Sequence, residues 1–292
     1  MSRFERDGLS LAYDDTGGAP ELPTIVFLHG LSMSRATWAR FVPRLEQQFR
    51  IVRVDQRGHG ESSHAAGTYV LDTYLADTVD LLEEVVRGPT LLVGHSLGGV
   101  IAHGVAQTRP DLVRGVLLED PPLYVVDRMN DGAAREQASS VAAMFPVMQQ
   151  LCRDMQARNA PLDEWVSMVG AVPALNRAGT MADVIGADAT HAMAEAFSRL
   201  DPDIFTPAIE GAAISGRPDL SRPLERPAVV LRADPALGAA FSEDDEARFL
   251  AINPTARVVV FEGASHAIHD EQPLRFLDEL LSFASAAQVS TS

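Results

Sequence analysis

The sequence predicts an α/β fold, with a mostly parallel sheet covered by helices on both faces and a helical insertion between its sixth and seventh strands, at 122–226. Two observations carry this reading. Short runs of Val, Ile and Leu recur with helical patterns between them, and such unbroken apolar strands belong to parallel sheets buried on both faces. Between Pro122 and Arg226 the alternation stops, and Ala- and Met-rich segments broken at Pro146, Pro161, Pro173, Pro202, Pro207 and Pro218 take its place. The chain then divides into a first core part, 1–121, an inserted helical cap, 122–226, and a second core part, 227–292.

Taken in order, Phe4 to Asp7 and Leu9 to Asp14 flank Gly8 as a short hairpin, and Gly17-Gly-Ala-Pro20 marks a loop. Thr24 to Leu28 reads as a buried strand running into His29-Gly30-Leu31, and Trp38, Phe41 and Leu45 recur at helical spacing after it. Ile51 to Val54 is a second buried strand, ending in Asp55-Gln-Arg-Gly-His-Gly-Glu-Ser62. An amphipathic helix follows over about Thr73 to Val86. Next come a strand at Thr90 to Val93, a helix from Leu97, and a strand at Val113 to Leu118 that ends in Glu119-Asp120-Pro121-Pro122. After the insertion, Ala228 to Leu231 is a strand leading to Asp234. A helix over Glu243 to Ile252, a strand over Arg257 to Phe261 and a closing helix over Pro273 to Phe283 complete the pattern.

Composition narrows the function. The chain has 292 residues, 46% of them hydrophobic, enough for a large core, and its net charge of −16 disfavours nucleic acid and anionic membranes as partners. A small-molecule substrate is the expected partner. All 24 basic residues are arginine, which removes lysine Schiff-base chemistry and the P-loop lysine. Cys152 is the only cysteine, so no intrachain disulfide forms. The N-terminus lacks a signal-like apolar stretch and no apolar run is long enough to span a bilayer, so a cytoplasmic location is expected.

The stretch Thr90-Leu-Leu-Val-Gly-His-Ser-Leu-Gly-Gly-Val100 carries the chemistry. It places Ser96 on a sharp turn between a buried strand and a helix. Such a turn strains the serine backbone and leaves no room for side chains at 94 and 98, both glycine. The hydroxyl then sits at a helix N-terminus, where free N–H groups favour developing negative charge.

This Gly94-His-Ser-Leu-Gly98 stretch resembles the nucleophile elbow of the α/β-hydrolase family, and the other motifs arrive in that family's order: His29-Gly30, Asp55 to Ser62, the elbow, Asp234 and His266. The resemblance covers the chain outside the cap. It implies a mostly parallel eight-stranded sheet with helices on both faces and the cap over its carboxyl edge. It also implies a triad of Ser96, His266 in Glu262-Gly-Ala-Ser-His266, and an acid, for which Asp234 is preferred and Asp120 is the alternative. Position 233 is alanine, without the glycine expected before the acid. His269 is the rival base. The oxyanion donors implied are the N–H groups of Leu97 and Leu31, with Ser32 or Ser34 as possible side-chain additions.

Of the other histidines, His29 is expected to orient its loop, His95 to touch substrate, His59 to fix a turn in which Asp55 and Arg57 pair, and His103 to sit in the core. Seven of the nine methionines fall in the cap, at 129, 144, 148, 155, 168, 181 and 193. Two or three of them, with Tyr124, Phe145 or Trp165, are expected to line an apolar substrate pocket. No H-E-x-x-H helix or third ligand accompanies His266, His269 and Asp270, so neither metal nor cofactor is expected.

The leading expectation is therefore hydrolysis of a carboxylic ester or lactone through an acyl-serine. The alternatives are carbon–carbon bond hydrolysis or cofactor-free peroxidase activity on the same fold, and a non-catalytic small-molecule receptor. An aspartate-nucleophile dehalogenase or epoxide hydrolase is disfavoured by serine at 96.

Overall fold

The computed structural model of the chain describes residues 1–125, 127, 143–210 and 218–289. Eight strands form one sheet in the order β1-β2-β4-β3-β5-β6-β7-β8. They are β1 (Ser2–Arg6), β2 (Leu9–Asp15), β3 (Thr24–Leu28), β4 (Arg50–Val54), β5 (Thr90–His95), β6 (Val113–Glu119), β7 (Ala228–Ala233) and β8 (Arg257–Phe261). The pairs β1–β2 and β2–β4 are antiparallel, and every later pair is parallel. The predicted eight-stranded, mostly parallel sheet is the one observed.

Alternate residues of the central strands divide between two cores, because successive side chains of a strand point to opposite faces. Val26, Leu28, Val52, Val54, Leu92, Val116, Leu118 and Val230 lie in one core. Ile25, Phe27, Ile51, Leu91, Val93, Leu117, Val229 and Leu231 lie in the other. The first face is covered by α2 (Leu71–Leu81) and α3 (Leu97–Thr108), through residues such as Tyr74, Leu81, Ile101 and Val105. On the second face lie a 3₁₀ turn (Arg35–Phe41) leading into α1 (Val42–Leu45) and the C-terminal helix (Pro273–Val289). They contribute Trp38, Phe41, Leu45, Phe276 and Leu280.

The helix expected over 73–86 starts earlier, at Leu71, and its last turn, Leu82–Val86, is a π-turn closed by Arg87 in the left-handed region. Between β6 and β7 the described residues form α4 (Met144–Ala157), α5 (Leu162–Gly170), α6 (Met181–Arg199) and α7 (Thr206–Ile209). Gly186, at φ 81° and ψ 170°, kinks α6. The segments that join these helices meet the loops that follow the sheet's carboxyl ends: Asp201 N–H donates to Gly58 O at 2.8 Å, and Asn176 Nδ2 to Ala236 O at 3.1 Å. The chain closes with α8 (Glu243–Ile252), α9 (Ile268–Glu271) and α10 (Pro273–Val289).

Candidate active site

Every site residue predicted outside the insertion lies at or just past the carboxyl end of a strand, because parallel strands deliver all their exits to one edge. Ser96 leaves β5 at φ 51° and ψ −115° and starts α3. That backbone is costly for a residue with a Cβ, of order 1–3 kcal/mol, and it is held from both sides. Ser96 N–H donates to Glu119 O at 2.9 Å, and Ser96 O accepts from Val100 N–H at 3.1 Å. A methyl group at Gly94 would overlap the Gly98 carbonyl, and one at Gly98 would overlap that of Leu28, so strand and helix approach as closely as the elbow requires.

His266 lies on the loop between β8 and α9. Its Nδ1 donates to Asp120 Oδ2 at 2.7 Å. Asp120 is fully buried, and its carboxylate also accepts from the N–H groups of Ala240 at 2.7 Å, Phe241 at 3.1 Å and Ala233 at 3.4 Å. Its own backbone is in the left-handed region, at φ 41°. Beside this pair, His95 Nε2 donates to the carbonyl of His266 at 3.0 Å, and the two rings lie 4.7 Å apart. The residue next to Ser96 therefore fixes the loop that carries His266.

The loop 29–34 closes over the elbow. A Cβ on Gly30 would stand 2.6 Å from His95 Nδ1 and 3.3 Å from Ser96 Cβ, so only glycine lets the loop come this near. Two buried histidines hold it. His29 Nδ1 donates to Gly30 O at 2.8 Å and its Nε2 accepts from Gln56 N–H at 3.0 Å. His59 Nε2 accepts from Ser32 N–H at 3.2 Å, and its Nδ1 donates to Arg57 O at 2.9 Å. Both rings must be neutral to accept these bonds. Burial drives the pKa of His29 down to about 4 and, with His29 alongside, that of His59 down to about 3. Leu97 opens α3, so its N–H belongs to the first turn, which has no intrahelical partner.

With this arrangement in view, similarity to known proteins is informative. The profile of the alpha/beta hydrolase family matches residues 25–279. The chain belongs to the alpha/beta hydrolase family. It is 29% identical over 268 residues to a 2-(acetamidomethylene)succinate hydrolase of Mesorhizobium japonicum, covering 90% of this chain and 88% of that one. It is also 29% identical over 280 residues to an sn-1-specific diacylglycerol lipase of Mus musculus, covering 94% and 85%. Among solved structures, the enol-lactonase of Burkholderia xenovorans superposes with a TM-score of 0.68 at 20% identity, covering 97% and 100% of the two chains. Like these relatives, the chain is a hydrolase of this family.

In this hydrolase the structure gives the imidazole a different partner from the one preferred on sequence. Asp234 does not meet His266. Its Oδ2 accepts from Gly263 N–H at 2.8 Å and its Oδ1 from Ala236 N–H at 2.9 Å, and these two donors lower its pKa. It staples the β7 and β8 loops, while Asp120, one strand earlier, takes the histidine. The rival base is also accounted for: His269 is fully buried, with Nδ1 2.8 Å from Glu119 Oε1 and Nε2 2.7 Å from Thr37 Oγ1. Although burial opposes its charge, Glu119 and Asp270 carry its pKa upward.

Several side chains expected to meet substrate are packed into the protein. His95 is buried, and burial together with His266 and His269 takes its pKa well down. Its place is beneath the loop rather than on an open wall. Tyr124 and Trp165 are also buried, Tyr124 with the Arg248 guanidinium 4.2 Å from its ring centroid. Phe145 is half-buried and stacks on Phe205 at 6.0 Å. Of the methionines, Met155 is buried and Met144 exposed, and Met129 lies outside the described residues. Asp55 pairs with Arg35 rather than Arg57, and Arg57 grips Asp77 with two bonds of 2.6 Å. Ser34 caps the following 3₁₀ turn and Ser32 Oγ donates to Leu31 O, so both hydroxyls have local partners. The left-handed φ of Ser32, 64°, went unread in the sequence, as did that of Asp120.

Proposed function

We infer that the protein is a serine hydrolase that cleaves a small, largely apolar carboxylic ester or lactone through an acyl-Ser96 intermediate. The observation that carries this reading is the His266–Asp120 pair at the carboxyl edge, beside a strained serine at the start of a helix. Asp120 holds the proton on Nδ1 of His266, which leaves Nε2 free to take the hydroxyl proton of Ser96 as it attacks the carbonyl. The oxyanion that forms is held by the N–H of Leu97 and, from the loop that Gly30 brings in, that of Leu31, such donors being worth about 3 kcal/mol each. His266 then returns its proton to the leaving alkoxide and activates water for deacylation.

Among the described residues of the helical insertion, the pairing of four arginines favours an apolar substrate. Arg153, Arg158, Arg177 and Arg199 face Asp203, Glu164, Glu271 and Glu61 at 2.5–2.6 Å, so these guanidiniums are occupied by the protein's own carboxylates. A dicarboxylate such as the substrate named for the Mesorhizobium relative needs free cations, which makes that reading the second choice. The test is labelling with a fluorophosphonate followed by a panel of p-nitrophenyl esters and lactones. Labelling of Ser96 and turnover of short and medium esters is expected. Labelling of another serine, or binding without product release, would overturn the proposal.

A further inference from the structure

The segment joining α5 to α6 is a tight turn closed by Ala174 N–H to Gly179 O at 3.0 Å and Met181 N–H to Val172 O at 2.7 Å. Its tip lies on the core. Asn176 reaches Ala236 O on the loop after β7, and Arg177 reaches the loop after β8, which carries His266. Arg177 Nη1 donates to Gly263 O at 3.3 Å, and its Nη2 stands 2.6 Å from Glu271 Oε2. Glu271 is nearly buried, with 5% of its side chain exposed, and its carboxylate accepts from both the N–H and the hydroxyl of Ser265. Ser265 is the residue before His266.

We propose that Arg177 is a positioning residue: through Glu271 and Ser265 it couples the seating of the helical insertion to the placement of the His266 imidazole. This rests on the reading of His266 as the base for Ser96. A carboxylate this deep is held in place chiefly by the cation that faces it and the donors it accepts from. When Arg177 withdraws with its turn, the Glu271 carboxylate loses its facing cation and turns toward water, which loosens its hold on Ser265. The other restraints on the loop come from the core alone: His95 on the His266 carbonyl, Asp120 on Nδ1, and Asp234 on Gly263 N–H. α6 also packs on α9, just after His266, and Arg177 is the described side chain of the insertion that bonds the His266 loop itself. A displacement of about 1 Å at a reacting group can cost on the order of 10²-fold in rate.

The experiment compares Arg177→Met, Arg177→Lys, Glu271→Ala and the double variant Arg177→Met/Glu271→Ala with the wild type. It uses p-nitrophenyl acetate, which is too small to need an acyl pocket. Arg177→Met should lower kcat about 10- to 100-fold with KM changed less than about twofold, and Arg177→Lys should restore part of the loss. The double variant should be no worse than Glu271→Ala, since both act along one path. Asn176→Ala, which removes the neighbouring tip contact but leaves Glu271 paired, should keep kcat near the wild-type value. The ¹⁵N resonances of the His266 ring should shift in Arg177→Met and not in Asn176→Ala. Equal losses in Asn176→Ala and Arg177→Met, or wild-type kcat and His266 resonances in Arg177→Met, would overturn the proposal. If the wild type itself turned over no ester, the functional reading would fail, and the His266 resonances would still decide whether Arg177 positions the ring.

Discussion

Asp120→Asn is the substitution that tests the site most sharply. Asparagine tolerates the left-handed backbone that Asp120 adopts at φ 41°, so the turn itself should survive. The carboxylate serves two sides: Oδ1 accepts from Phe241 and Ala233, and Oδ2 accepts from Ala240 and from His266 Nδ1. With the amide oxygen kept in the Oδ1 position, the new NH₂ faces the Ala240 N–H and the imidazole. His266 can then bond only by accepting at Nδ1, which puts its proton on Nε2 and leaves nothing to receive the proton of Ser96. Loss of the correct tautomer costs on the order of 10⁴ in kcat, or about 5 kcal/mol of transition-state stabilisation. The stranded Ala240 N–H adds about 1–3 kcal/mol of lost stability. Asp234→Asn keeps an acceptor for one of its two backbone donors and touches no imidazole, so its kcat should stay within a few-fold of wild type. Steady-state kinetics on one ester, with urea melts of both variants, decides the matter. A larger loss of kcat in Asp234→Asn than in Asp120→Asn would refute the assignment.

Four further outcomes are expected. Ser96→Ala should lose nearly all turnover and all fluorophosphonate labelling while its circular dichroism stays native. Ser96→Gly should be inactive yet more stable by about 1 kcal/mol in urea melts, because glycine adopts the strained φ and ψ freely. Gly30→Ala, whose methyl would press on His95 and Ser96, should lower kcat about 10²-fold with a smaller change in KM. His103 is buried with its pKa lowered to about 4 by desolvation alone. The unfolded chain takes up that proton near pH 6.5 and the folded chain only near 4, so stability is full above that window and is lost as pH falls through it. The loss amounts to roughly 3 kcal/mol from this residue. His103→Leu should flatten the acid limb of a stability profile between about pH 6.5 and 4, and an unchanged slope would show that the residue does not carry it.

The parts of this protein that could be read from sequence are those whose physical demands fall on consecutive residues. The elbow is one: a buried strand, a turn without bulk and a helix start occupy a single stretch from Thr90 to Val100. The strands are another, since burial on both faces leaves an unbroken apolar run. The proposed acid was different. Asp120 and Asp234 each end a strand next to a proline. What separates them is which carboxylate receives the N–H groups of Ala240 and Phe241, supplied by a loop more than a hundred residues from Asp120. The helical insertion was harder again. Its methionines and aromatics announce apolar helices, but which face each helix turns inward depends on neighbours that composition does not name. Trp165 is therefore core where a pocket wall was expected.

The pairing proposed to activate Ser96 joins residues 146 positions apart, and the bond from His95 to the His266 carbonyl spans 171. On the ribosome the elbow is therefore made long before its base. At about 5–20 residues per second, a nascent chain carries Ser96 for several seconds or more with no imidazole to take its proton. On the proposed reading, Ser96 gains its base only once the loop after β8 has brought His266 to Asp120. Covalent labelling of stalled nascent chains with a fluorophosphonate would date the moment at which Ser96 becomes reactive.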